Sequence, residues 1–214
     1  MLYFVGERLS LPALRFSASS ISQRDHHPRR GLQNYGPYDA LTLGKDRVNC
    51  LIMYPGHLQT AKQTLVGGLQ NGNGAFAGFQ KLFRIPLAII GERSLPDETA
   101  VQLQRTLPVL VRDTRPDIVL LLSSTRNPSF YTTAKSVLLG LGVPSQIVTR
   151  EKLSNTNQLP WTLENIALQM YAKIGGTPWT VLSLQRQRSL VLGISRAQDE
   201  KKRLVVGFVT LFSS

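Results

Sequence analysis

Cys50 is the only cysteine in this chain of 214 residues. A lone thiol excludes an internal disulfide and a thiolate zinc cage, and it suits a reducing compartment. Acidic residues are also scarce, 13 against 25 lysines and arginines, which leaves a formal charge of +12. Such a balance says nothing about fold. It points to a polyanionic partner, nucleic acid first and an acidic membrane surface second, against the plainer reading of a basic surface that is merely solvated. Long hydrophobic runs are missing too. The stretch from Met1 to Leu14 is interrupted by Glu7 and Arg8, so it does not read as a secretory signal, and no later run is long enough to span a bilayer. A cytoplasmic protein without a membrane partner is expected. The apolar fraction, 42%, is ample for a core.

The first forty residues read as short extended pieces, Leu2–Val5 and Ala13–Ser17, followed by a basic loop from Ser19 to Arg30 and a turn-rich stretch from Gly31 to Asp39. His26 and His27 have only Asp25 near ligand spacing, and a surface loop is favoured over a metal site. From there short apolar runs alternate with helical periods, the pattern of an α/β layered domain. Strands are expected at Val48–Tyr54, Ile85–Ile90, Asp117–Leu122 and Pro144–Thr149. Helices are expected at Leu58–Leu69, Asp97–Thr114 (kinked or interrupted at Pro108), Ser129–Leu141 and Thr162–Ile174. Gly72, Gly74 and Gly78 follow a helix rather than a strand, so a helix cap and loop is expected instead of a dinucleotide fingerprint. His57 reads as a helix-start residue without a partner, and Cys50 as core. Past Gly175-Gly176 the period changes to two strands, Ser189–Ser195 and Arg203–Phe212, joined by the charged turn Gln198–Lys202.

Residues four apart share one helix face. Tyr131 and Lys135 therefore lie together, and so do Asn165, Gln169 and Lys173, opposite the apolar stripe Leu163, Ile166, Ala167, Met170 and Ile174. Gln146 opens the strand between these two helices. Two ammoniums, a phenol and two amides can cradle a phosphate, and the tyrosine ring can stack on an unpaired base. In doubly wound sheets ligands favour the crevice beyond the strand C-termini, just where Tyr131 begins its helix. The competing reading is two ordinary solvated lysines beside a half-buried tyrosine, and spacing by itself favours it.

The run Asn165-Ile166-Ala167-Leu168-Gln169-Met170-Tyr171-Ala172-Lys173-Ile174-Gly175-Gly176-Thr177-Pro178-Trp179, with Tyr131-x-x-x-Lys135 and Pro144-Ser145-Gln146, resembles the MID domain of Argonaute proteins and its junction with PIWI. Arg30-Gly31-Leu32-Gln33-Asn34-Tyr35-Gly36-Pro37-Tyr38-Asp39 resembles the opening of short prokaryotic Argonautes. The resemblance implies a Rossmann-like MID domain with a central parallel sheet over residues 41–179. An N-terminal extended segment, 1–40, precedes it, and 180–214 is the truncated beginning of an RNase H-like PIWI domain.

The same resemblance implies function. The chain would bind the 5′-phosphate of a single-stranded guide RNA or DNA, with Tyr131 on the first base and Lys135, Gln146 and Lys173 on phosphate oxygens. Asn165 would support them, and Gln169 would help hold a Mg²⁺ ion against the phosphate. The family's first slicer aspartate falls at Ser195, a hydroxyl that cannot replace a shared metal-ligand carboxylate. Asp199 reads as a surface acid, and the family's remaining carboxylates would lie past Ser214, so no cleavage activity is expected. Partners implied are a complementary target strand and an effector subunit, sirtuin-like, TIR or nuclease, in defence against invading DNA. Two other readings stand beside this one: a degenerate scaffold binding nucleic acid non-specifically, and a nucleotide-cofactor enzyme on a Rossmann-like core.

Overall fold

A computed structural model describes residues 11–40, 42–182, 190–198 and 204–213. In chain order it runs through β1 (Leu14–Arg15), β2 (Arg24–Asp25), α1 (Pro28–Tyr35), β3 (Val48–Pro55) and a 3₁₀ turn (Gly56–Leu58). Next come α2 (Gln59–Asn71), α3 (Phe79–Phe83), β4 (Leu87–Leu95), α4 (Ala100–Thr114) and β5 (Ile118–Ser123). The remainder is α5 (Pro128–Gly140), β6 (Ser145–Thr149), α6 (Arg150–Ser154), α7 (Leu159–Lys173), β7 (Thr180–Val181), β8 (Leu190–Gln198) and β9 (Leu204–Ser213).

Strands β4, β3, β5 and β6 lie side by side in that order as a parallel sheet. Their sequences are continuously apolar because both faces are covered. Cys50, Ile52, Leu120 and Leu122 point to one side, into a core shared with Leu65 and Leu69 of α2 and Leu163, Ala167 and Met170 of α7. Leu51, Met53, Val119 and Leu121 point to the other, against Leu103 and Leu107 of α4 and Phe130, Ala134 and Leu138 of α5. This is the expected α/β fold with a central parallel sheet. Strands β8 and β9 form an antiparallel hairpin, with Ser195 opposite Phe208 in register. Leu2–Val5, Ser189, Asp199 and Arg203 lie outside the described residues.

The N-terminal part differs from expectation. A helix, α1, replaces most of the turn-rich stretch and the end of the basic loop. Pro28 starts it, where a missing N–H costs nothing, and Gly36, at φ 81°, ends it. Gly31 is there for contact: a Cβ at that position would lie 2.1 Å from the ring of Phe16. Leu14, Phe16 and Leu32 thereby join the same core as α7. Strand β1 pairs on one side with β2 and on the other with β7, so residues on both flanks of the α/β unit share one small sheet.

Elsewhere the differences are at element ends. Pro108 sits inside an unbroken α4, because the buried stripe Leu103, Leu107 and Val111 holds both halves against the sheet. That helix starts at Ala100, not Asp97: Thr99 caps it by accepting from the Gln102 amide, and Asp97 is used to hold Thr99. Helix α7 starts three residues early, at Leu159, with Pro160 in its first turn. Gly72 does cap α2, and a Cβ there would lie 2.5 Å from the Phe76 carbonyl. Among the described residues no helix is long and apolar enough to cross a membrane.

Candidate nucleic-acid interface

Strand β6 is one margin of the sheet, flanked by α5 on one face and α7 on the other. In a parallel sheet alternate residues of an edge strand turn their peptide groups outward, unpaired. The carbonyl of Pro144 accepts from Val119 of β5, at 3.0 Å, so that of Ser145 faces out. Two lysines converge on it. Lys135 Nζ from α5 and Lys173 Nζ from the last turn of α7 each donate to Ser145 O at 2.8 Å. Lys135 also lies 2.9 Å from Ser145 Oγ, and Lys173 donates to Gln146 Oε1 at 2.6 Å.

Every acceptor in this set is neutral, and among the described residues neither lysine is in an ion pair. Two ammoniums on one carbonyl oxygen repel each other. Desolvation lowers the pKa of Lys135. Desolvation, and then the charge of Lys135, lowers that of Lys173 to about 8. Lys173 is exposed along its stem, but its ammonium is turned inward against β6. An ammonium has three N–H donors. Each lysine spends two on these oxygens and keeps one for an incoming anion. The arrangement brings two ammoniums together with no counter-charge among the described residues.

Tyr131, one turn before Lys135, is half-exposed, and Lys135 Nζ is 5.7 Å from its ring centroid. Its helix is set by Asn127, whose side chain accepts from the Phe130 amide at 3.0 Å, and by Pro128 in the first turn. Beside the ring lies a cavity of about 340 Å³, bounded by the loop Thr125–Pro128, Thr149 and Lys152. On the other face of β6, Asn165 and Gln169 line a cleft of about 280 Å³ with Gln146 and, again, Lys152.

All six residues expected from the sequence therefore border β6. Lys135 and Lys173 meet level with the N-terminal half of β6, since Ser145 is in register with Val119 of β5, while Tyr131 borders the cavity at the C-terminal ends of β5 and β6, beside Ser123 and Thr149, as expected. The crevice above the strand C-termini, between β3 and β5 where the strand order turns, holds something else. His57 Nε2 is 2.8 Å from Ser124 Oγ, and Glu98 accepts from the Ser124 amide at 2.9 Å and from its hydroxyl. His57 thus has a partner, contrary to the sequence reading.

Lys152 was not singled out from the sequence. The only available signal was a cation just past the end of a buried strand. The Ser145 carbonyl had none, because backbone acceptors leave no mark in side-chain identity. Cys50 is buried and its thiol is pushed up to about 12, which leaves it unreactive. Asp25 is bound by both nitrogens of the Arg30 fork at 2.6 Å, so His26 and His27 gain no carboxylate from it. No group of three metal-ligating side chains occurs among the described residues. Gln169, Gln146 and Asn165 offer amide oxygens only, next to two ammoniums. Mg²⁺ is ordinarily held through carboxylates plus phosphate oxygens, so these residues fit a dication poorly.

A cationic sheet edge suits a polyanionic ligand, and comparisons with known proteins find similarity to Argonaute and Piwi proteins. Residues 117–213 match the Piwi domain model. The argonaute of Cereibacter sphaeroides is 29% identical over 211 residues, 86% of this chain and 27% of that protein. Piwi-like protein Ago3 of Bombyx mori is 30% identical over 99 residues, 45% of this chain and 11% of that protein. Among solved structures, Drosophila Piwi superposes with a TM-score of 0.65 at 16% identity, over 96% of this chain and 30% of that one. The Argonaute of Marinitoga piezophila, solved with a 5′-OH guide RNA, gives 0.57 at 9% identity, over 94% and 34%. The chain is thus similar to Argonaute and Piwi proteins, with the Piwi domain model matched over residues 117–213. It spans about a quarter of the length of the bacterial argonaute it matches.

Proposed function

We propose that this chain holds the 5′ end of a single-stranded guide nucleic acid. The observation that carries the proposal is the meeting of Lys135 and Lys173 on the Ser145 carbonyl without a carboxylate between them. A terminal phosphate takes the remaining donor of each ammonium, while Gln146, fixed by Lys173, adds its amide. The first base stacks on Tyr131, a contact worth about 1–3 kcal/mol. Asn165 and Gln169 line the cleft beside it and supply polar contacts to the phosphate or the next sugar.

Two features favour this over a nucleotide-cofactor enzyme. The switch-point crevice presents the carboxylate of Glu98 and is bridged by His57 and Ser124, which is hostile to a pyrophosphate. The glycine loop caps a helix instead of opening one after a strand. Because the Marinitoga protein was solved with a 5′-OH guide, phosphate selectivity is the point to test. Full-length chain titrated with short RNA and DNA strands bearing a 5′-phosphate or a 5′-hydroxyl, with and without Mg²⁺, is expected to bind the phosphorylated strands at least tenfold more tightly, the worth of one or two charge-assisted hydrogen bonds. Equal, salt-sensitive binding of all strands favours the non-specific scaffold instead.

The wider proposal is a guide-directed defence role without cleavage. The family resemblance puts the slicer-aspartate position at Ser195, in β8, and a hydroxyl there supports the absence of cutting. An effector subunit that responds to target pairing rests on the resemblance of Arg30–Asp39 to short Argonautes. It would be tested by NAD consumption or nuclease activity in the co-purified complex on adding guide and target.

A further inference from the structure

The cavity beside Tyr131 is shaped by the loop that joins β5 to α5, and that loop is tied to a residue from a different connection. Glu98 lies between β4 and α4. Its carboxylate accepts from Ser123 Oγ at 2.5 Å, from Ser124 N at 2.9 Å and from Ser124 Oγ. Asn127, at the other end of the loop, donates Nδ2 to the Glu98 carbonyl at 3.4 Å while its oxygen caps α5. Ser123 Oγ also lies 2.7 Å from the Thr125 carbonyl, and its single proton is shared between that oxygen and the Glu98 carboxylate. His57 braces Ser124 from the β3 side. Ser123, Thr125, Arg126 and Asn127 all border the cavity, with Tyr131 and Lys152.

Exposed loops pay ordering entropy when they read a ligand, and a loop already fixed pays less. A carboxylate that collects a backbone amide and two hydroxyls is a strong, directional anchor. It acts on the loop and touches neither the Lys135–Lys173 cradle nor Tyr131.

We infer that Glu98 is a positioning residue that fixes the loop Ser123–Asn127 over the cavity beside Tyr131 and thereby sets selectivity among the first bases of the guide. This rests on the reading of the edge cluster as the guide 5′-end site. Glu98 leaves phosphate recognition alone, which separates the two claims experimentally.

The test uses the full chain with 5′-phosphorylated strands differing only in the first base, their 5′-hydroxyl counterparts, and a strand carrying 5′-terminal 2-aminopurine as a stacking reporter. In the wild type the four bases should spread in affinity by about three- to tenfold, the discrimination that one or two fixed hydrogen bonds give. Glu98→Ala should collapse that spread to within about twofold and partly restore 2-aminopurine fluorescence, with the phosphate-over-hydroxyl ratio unchanged. Glu98→Gln, which keeps an oxygen for the Ser124 amide, should retain most of the spread. Should Glu98→Ala not fold, Ser123→Ala with Ser124→Ala removes both hydroxyls from the loop side and should reduce the spread in the same way. An unchanged spread in folded variants, a parallel fall in phosphate preference, or a wild type indifferent to the first base would each overturn the inference. A wild type indifferent to the phosphate would overturn the 5′-end reading itself.

Discussion

Lys173 ends α7 with its ammonium against Ser145 O and Gln146 Oε1, facing Lys135 and no carboxylate. Two predictions follow from its pKa of about 8. A terminal phosphate stays a dianion above its second pKa, near 6. Beside the lysine it pulls that pKa upward, so binding takes up protons around pH 8. Affinity for a 5′-phosphorylated strand should therefore fall as pH rises above 8, by up to about tenfold per unit. A 5′-hydroxyl strand should show far less change in the same titration. Stability runs the opposite way. The unfolded lysine keeps its proton up to 10.5, so between about 8 and 10.5 the unfolded chain binds more protons and stability rises with pH. Lys173→Met removes the repulsion. It should leave the melting temperature at pH 7 equal or slightly higher, the gain staying within about 1 kcal/mol after solvent screening, and should weaken phosphate discrimination. A residue that lowers stability while raising affinity is placed for binding.

At the scale of elements, the helix α7 is shared between site and scaffold. Its buried Tyr171 stacks on Phe83, rings 4.4 Å apart, and donates to Asp39 Oδ1 at 2.6 Å. Burial and that bond push the phenol well above its usual range. Asp39 Oδ2 also accepts from the Thr177 amide at 2.8 Å. Asp39→Ala should cost about 2–3 kcal/mol, since two buried donors lose their partner, and a thermal or denaturant melt would measure it. The sequence showed Tyr171 only as part of a family-like run, because a contact across 132 residues leaves no local signature. Continuous apolar runs made β3 and β5 legible, and the 3.6-residue stripe made α7 legible. Helix α1 was hidden because Pro28, Gly31 and Gly36 read as turn formers. Two of them instead start and stop the helix, and the third admits Phe16. The six candidate residues were picked out by four-residue spacing and resemblance. The backbone carbonyl of Ser145, on which Lys135 and Lys173 meet, could come only from three-dimensional pairing.

The molecule as a whole carries +12, and two lysines explain little of that. General charge should add affinity for any strand, falling with salt at a slope of about −0.7 per phosphate neutralised. The 5′-phosphate preference, arising from close contacts, should persist as salt weakens the rest. Guided targets should remain uncut with Mg²⁺ or Mn²⁺ present, as a gel of labelled target would show. The central claim is that Lys135 and Lys173 recognise a 5′-phosphate, and a mutant cycle tests it most directly. Affinities of phosphorylated and hydroxyl strands would be measured for the wild type, Lys135→Ala and Lys173→Ala. The account predicts that each substitution lowers affinity for the phosphorylated strand by about tenfold or more and leaves the hydroxyl strand within about twofold. Equal losses on both strands, or none on either, would contradict it.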